Sequence, residues 1–242
     1  MWMVISEPED RPALWAYSKL REAGLDPIEQ ITPAEFSYAA ESTYILKSQN
    51  SKFEFKLRDG RIVRSDEIQG ILNRLSLVHT EHLGYSPDTQ YAIQEFNAFF
   101  LGWLSSLEAP VINYPSPFGL PGKWRHLVEW TWLANISGLP TIRLCHGSMS
   151  LNKDISYLQS DDKVMAIVAG GEVFGENLPE SIVNGCIALA ERSNTSLLGV
   201  MLSHVRGDLV FVNANPFPDL QLGGERIIKK IKEILVDSSN YQ

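Results

Sequence analysis

The sequence predicts an α/β fold, and three observations carry that prediction. Strand-like and helix-like stretches alternate along the chain. In the second half, "KVMAIVAGGEVFG" and "LLGVMLSHVRGDLVFVNANP" read as two hairpins on either side of an amphipathic helix. The chain has 242 residues, 44% of them hydrophobic, which is enough for one large or two small domains with a full core. A loop rich in proline and glycine, "SPFGLPG", interrupts the alternation near residues 115 to 121. The expected domains are therefore 1–117 and 118–242.

The elements follow in order. Residues 2 to 5 form a short strand. Asp10 then caps a helix with Pro12 at its start, Leu14, Tyr17 and Leu20 as apolar positions and Gly24 at its end. "TYILKSQNSKFEFKLRDGRIV" gives two or three strands with a turn at Asp59-Gly60. "SDEIQGILNRL" reads as a short capped helix leading to Asn73 and Arg74. Asp88 opens a helix on which Phe96, Phe99, Phe100, Trp103, Leu104 and Leu107 form one wide apolar stripe, a core or interface pattern. "APVINYP" is a brief buried strand. A helix with Trp124, Leu127, Val128, Thr131 and Ala134 ends before Gly138 and Pro140, and "TIRLCHG" is a further strand. The first hairpin turns at Gly170-Gly171, and the next helix aligns Ile182, Val183, Cys186, Ile187 and Ala190. The second hairpin turns around Arg206-Gly207, and a final helix from Gly224 buries Ile227, Ile228, Ile231 and Leu235.

Composition narrows the function. Twenty-nine acidic against 21 basic residues give a net charge of −8, which argues against nucleic acid or an anionic membrane as the main partner. Cys145 and Cys186 are far apart and form no CxxC, so neither a disulfide framework nor a zinc site is expected. "MWMVISEPED" does not have the pattern of a signal peptide, and no apolar run reaches the length of a membrane span, so a cytoplasmic location is expected.

Most catalytic motifs are absent. No GxGxxG follows a strand, "GLPGKW" lacks the spacing of a phosphate loop, and no GxSxG occurs. His79 and His82 lack a third ligand, and Cys145 and His146 point to opposite faces of a strand. "FVNANPFPDL" is more informative. Asn213 and Asn215 share one face of an extended segment that ends at Pro216, a place where strands carry metal-ligating oxygens, yet Mg²⁺ normally requires a carboxylate.

In their order these segments resemble the ATP-grasp superfamily, in the branch of ribosomal-protein glutamate ligases and microviridin-type peptide ligases. "VRSDEIQGILNRL" looks like the strand and helix before the arginine of the family's N-terminal domain. "EFNAFFLGWLSSLEAPVINYP", Lys123 and "ANISGLPTIRL" look like the passage that follows. "DDKVMAIVAGGEVFG" and "LLGVMLSHVRGDLVFVNANPFPDL" are similar to the family's two hairpins. The resemblance implies a pre-ATP-grasp-like N-terminal domain followed by an ATP-grasp-like domain.

Departures from the family pattern shape the expected function. By the resemblance, Met201 stands where active members have a metal-binding Asp, Asn213 where they have Glu, and only Asn215 is retained. Lys163 takes the place of an arginine, and Lys123 matches a phosphate-binding lysine. The family's lid of strands and a helix needs roughly 50 residues. Between Thr141 and Asp161 there are 19 residues, with Lys153 as their single lysine, so the ATP-grasp-like domain is expected to be shortened and to lack the lid.

The leading expectation is a truncated, catalytically degenerate relative that works by binding a protein or peptide partner. It would act as a homo- or hetero-oligomer in peptide or protein modification, with no cofactor, ATP and Mg²⁺ being disfavoured. The expected relic nucleotide and metal positions are Lys123, Lys163, Asn213 and Asn215. A second expectation is an enzyme of altered chemistry whose cleft, with Arg143, His146 and His204 added, takes an anionic substrate. A third is a carboxylate-amine ligase whose lid comes from another subunit.

Overall fold

The computed structural model describes residues 1–46, 51–76, 87–141, 163–205 and 207–237. Two compact units emerge from the contacts, one of Met1–Lys123 with the chain from Ile228 onward and one of Trp124–Ile227.

The first unit is built on a parallel sheet of order β2-β1-β6-β7, with β1 at Trp2–Ile5, β2 at Ile28–Ile31, β6 at Gly70–Asn73 and β7 at Val111–Ile112. Helix α1, Arg11–Glu22, connects β1 to β2; the Asp10 side chain accepts from the Ala13 N–H at its first turn. Its buried face is Ala13, Ala16 and Leu20, so the expected Leu14 lies outside the core. The sequence reading passed over β2 and the short helix α2, Pro33–Ser37, which Thr32 and Glu35 close with a reciprocal capping box.

An antiparallel sheet of β3 (Glu41–Leu46), β4 (Ser51–Lys56) and β5 (Ile62–Arg64) follows. Helix α3, Pro87–Ser105, lays its aromatic stripe against it. Trp103 meets Phe36 at 4.8 Å and Phe55 at 5.4 Å between ring centres, and Phe99 meets Phe55 edge-on at 5.6 Å. The stripe is core.

One element differs from the sequence expectation. "SDEIQGILNRL" is a single 3₁₀ turn, Ser65–Glu67, followed by strand β6, whose four residues are all buried. Ile71 pairs with Met3 on one side and Val111 on the other. A strand covered on both faces loses the alternation that marks strands, and a short apolar run then imitates a helix.

The second unit holds an antiparallel sheet of order β11-β10-β8-β9: β8 at Lys163–Ala169, β9 at Glu172–Gly175, β10 at Leu197–Val205 and β11 at Asp208–Asn215. Helices α4 (Leu127–Ile136) and α5 (Glu180–Ser193) cover one face, packing Trp130, Leu133, Ile182, Cys186 and Leu189 against Val164, Val200, Leu202 and Phe211. At Gly185 a Cβ would come within 2.7 Å of Leu139 Cδ2, so the helix passes too close for a side chain. Trp124 precedes α4, whose N-cap is His126, and the helix buries Trp130, Leu133 and Ala134 in place of the expected Val128. The last helix, α6 (Gly224–Val236), buries Ile227, Ile228, Ile231 and Leu235, as its periodicity predicts. No helix among the described residues is long and apolar enough to cross a membrane.

Candidate functional site

Strands β10 and β11 place the residues singled out by the sequence. Their register sets Gly199 opposite Asn215, Val200 opposite Ala214 and Met201 opposite Asn213, then shifts by one residue before Leu202 meets Phe211. Val200, Leu202, Phe211 and Ala214 turn toward α4 and α5. Alternation therefore puts Met201, Asn213 and Asn215 on the opposite face. On the other side of β10, Met165 pairs with Met201 and Lys163 with Ser203, so the two β8 residues share that face. The result is a row Met165, Met201, Asn213 across three strands, with the exposed Lys163 one step along.

Both asparagines hold their amides locally. Asn213 Oδ1 accepts from the Ala214 N–H at 2.9 Å. Asn215 Oδ1 accepts from the Phe217 N–H at 2.8 Å, and its Nδ2 donates to the Phe217 carbonyl at 3.4 Å. Each amide oxygen is thus already spent in part on its own chain, the bonding expected of asparagine at the end of a strand. A divalent cation such as Mg²⁺ asks for several hard oxygens, normally with carboxylate charge among them. Two neutral amides and a thioether do not fit it, and among the described residues no group of three or more His, Cys, Asp or Glu could hold a metal.

Of the other candidate residues, only His204 lies on the same described sheet. His204, exposed on β10 opposite Leu209, alternates to the face that Leu202 shares and away from Met201. Lys123 is exposed at the end of the first unit, in the loop ahead of α4. Arg143 and His146 lie outside the described residues, as do Cys145, His79 and His82. Cys186 is buried on α5, where desolvation pushes its thiol up to about 12, so it is no nucleophile.

A polar constellation that the sequence reading named only in pieces, Asp10 as a cap and Asn73 with Arg74 at the end of a helix, lies in the first unit. At the carboxyl ends of β1 and β6, where the strand order reverses, Arg74 grips Asp10 with two bonds, Nε to Oδ2 at 2.7 Å and Nη2 to Oδ1 at 3.1 Å. Asn73, fully buried, donates from Nδ2 to the carbonyls of Asn113 and Leu120 at 2.9 and 2.8 Å and accepts from the Leu75 N–H at 3.1 Å. Reading "GILNR" as the end of a strand would have placed both residues at the carboxyl end of a parallel sheet.

No family model matches the chain, and no curated protein matches it. Solved structures do. The macrocyclase MdnB of Microcystis aeruginosa MRC superposes with a TM-score of 0.71 at 13% identity, over 98% of this chain and 99% of its own. A RiPP-associated ATP-grasp ligase of Chryseobacterium gregarium, in complex with ADP and a leader and core peptide, gives 0.74 at 12%, over 99% and 97%. The ATP-grasp ligase PsnB, complexed with a phosphomimetic variant of minimal precursor, Mg and ADP, gives 0.72 at 15%, over 98% and 96%.

These neighbours correct one expectation. The sequence reading assigned no cofactor, yet two of the structures that match this fold end to end hold ADP, one of them together with Mg. The expected absence of nucleotide and metal is therefore contradicted: structures with this fold hold both. Along nearly its whole length, this chain has the α/β fold of the ATP-grasp ligases.

Proposed function

We propose that this protein binds a peptide on an ATP-grasp scaffold and serves peptide modification as a binding or partner subunit. Nucleotide is a ligand of that scaffold, and ligation is not completed by this chain alone. The observation that carries the reading is the Met201–Asn213 pair, a thioether facing an amide at the positions where the family resemblance implies Asp and Glu. Among the described residues, these positions offer a divalent cation a thioether and an amide in place of carboxylates, and phosphoryl transfer depends on charge held against the phosphates. The peptide partner is supported by the neighbours, several of which are complexed with leader, core or precursor peptides. The alternative of a new pocket for an anionic substrate loses His204, which alternates to the opposite face of the sheet from Lys163 and Asn215.

Two measurements on the purified full chain test this reading. An array of synthetic peptides should yield binders, and phosphate release from ATP with Mg²⁺ and a bound peptide should stay at background. Sustained ATP turnover by the isolated chain, with a ligated peptide as product, would show that it is a complete ligase.

A further inference from the structure

Strand β5, Ile62–Arg64, is the outer strand of the antiparallel sheet, and no described strand pairs with its free edge. The Leu57 N–H donates to the Arg61 carbonyl at 2.8 Å, and Phe55 pairs with Val63 two positions further along the ladder. Hydrogen-bonded positions alternate in an antiparallel pair, so the main-chain groups of Arg61 and Val63 turn toward β4. Those of Ile62 and Arg64 turn outward, a template for one more strand.

A groove of about 550 Å³ opens beside this edge, with Arg61, Ile62 and Val63 among its walls together with Pro27, Glu29 and Ile31 from around β2. Ile31 and Val63 are buried and make part of the groove apolar, while Ile62 is 40% exposed. Its charges are out of balance. Arg61 is held by Glu29 at 3.0 Å, by Asp59 at 2.6 Å and by Glu35. Arg64 is held by Glu54 and Glu67, and Lys52 by Asp66. With the Met1 amine beside Glu67 counted, these described groups are six carboxylates against four cations. Every cation already has a carboxylate, and the surplus is negative.

We propose that this groove takes an extended peptide segment bearing lysine or arginine, which adds as a strand to the free edge of β5. It rests on the peptide-binding role proposed above and gives that role a place and a charge preference. Main-chain bonds to Ile62 and Arg64 hold the segment, as in other strand additions to a sheet edge. Its apolar side chains cover Ile31 and Val63, and its cations meet the surplus of carboxylates. An acidic segment would bring more of the charge already in excess.

The test is fluorescence anisotropy on the full chain with two short labelled peptides, one alternating lysine with valine and the other glutamate with valine, beside the peptide array. The lysine peptide should bind at least about tenfold more tightly, and added salt should weaken it. The double variant Glu29→Gln, Glu67→Gln should weaken that binding by roughly fivefold, the scale of two exposed ion pairs. Ile62→Pro removes an outward N–H and leaves the bonds to β4, so it should weaken binding as well. It keeps the test open if the double variant fails to fold by circular dichroism. Equal affinity for the two peptides, or lysine-peptide binding indifferent to both variants, overturns the groove and leaves the peptide-binding role standing. So does an array that yields binders while the lysine peptide stays free. An array with no binder at all overturns both.

Discussion

Met201 and Asn213 face each other directly across the β10–β11 ladder, with Met165 beyond Met201 on β8. Neither side chain is in the buried core, so both positions can accept charge without refolding the sheet. The double variant Met201→Asp, Asn213→Glu should therefore gain metal-dependent nucleotide binding. Calorimetry with ADP should show at least about a tenfold tightening with Mg²⁺ relative to the unmodified chain, about 1.4 kcal/mol. Without metal the two facing carboxylates should repel and cost up to about 1 kcal/mol of stability. Unchanged ADP affinity in the variant would mean that the ladder is not where this scaffold meets a metal.

The Arg74–Asp10 pair joins the end of β6 to the start of α1, with the Arg74 side chain 3% exposed and that of Asp10 17%. Arg74→Ala should lose about 3 kcal/mol in urea denaturation, because it leaves a mostly buried carboxylate unpaired. Asp10 has a second task as the acceptor for the Ala13 N–H. Asp10→Asn keeps that cap and Asp10→Ala removes it, so the alanine variant should be less stable than the asparagine variant by about 1 kcal/mol. Equal stabilities would show that the cap contributes nothing beyond the ion pair.

Asn73→Ala withdraws partners from the Asn113 and Leu120 carbonyls and from the Leu75 N–H at once. Buried backbone groups left unsatisfied cost about 1 to 3 kcal/mol each when water cannot reach them. A loss near 3 kcal/mol is expected, read as a lowered urea midpoint with an unchanged slope. A loss below about 1 kcal/mol would mean that water enters and replaces the amide.

Cys186 gives a pH signature. Burial raises its thiol from an ordinary 9.0 to about 12, so the folded chain keeps a proton that the unfolded chain releases. The stability from this group is complete below pH 9 and falls as pH rises toward 12, by up to about 1.4 kcal/mol per pH unit. Cys186→Ala should flatten that part of the profile relative to the unmodified chain. A thiol reagent should reach Cys186 only as the chain unfolds.

α6 and the aromatic stripe of α3 were legible because each keeps a clean helical period, and the β8–β9 and β10–β11 hairpins because glycines mark their turns even though β8 and β10 are buried over most of their length. β6 was misread because both its faces are buried, and the start of α4 was placed early because tryptophan at position 124 continues the apolar count without joining the helix. The candidate site was legible as a list of positions. It was not legible as a set, since His204 and Met201 part company only through the pairing of β10 with its neighbours.

The sequence alone determined the α/β class, the likeness to ATP-grasp ligases in the order of its segments, and the presence of Met and Asn, not carboxylates, at positions 201 and 213. Those are properties of local periodicity and residue identity, which each short stretch carries by itself. Only the tertiary structure decided that Met201 faces Asn213, that Arg74 reaches back 64 residues to Asp10, and that Asn73 holds carbonyls 40 and 47 residues ahead. Such pairings are fixed by hydrogen-bond register and by burial between distant strands. Local sequence preference is nearly silent about both, because a shift of one residue in register exchanges the two faces of a strand without changing a single amino acid.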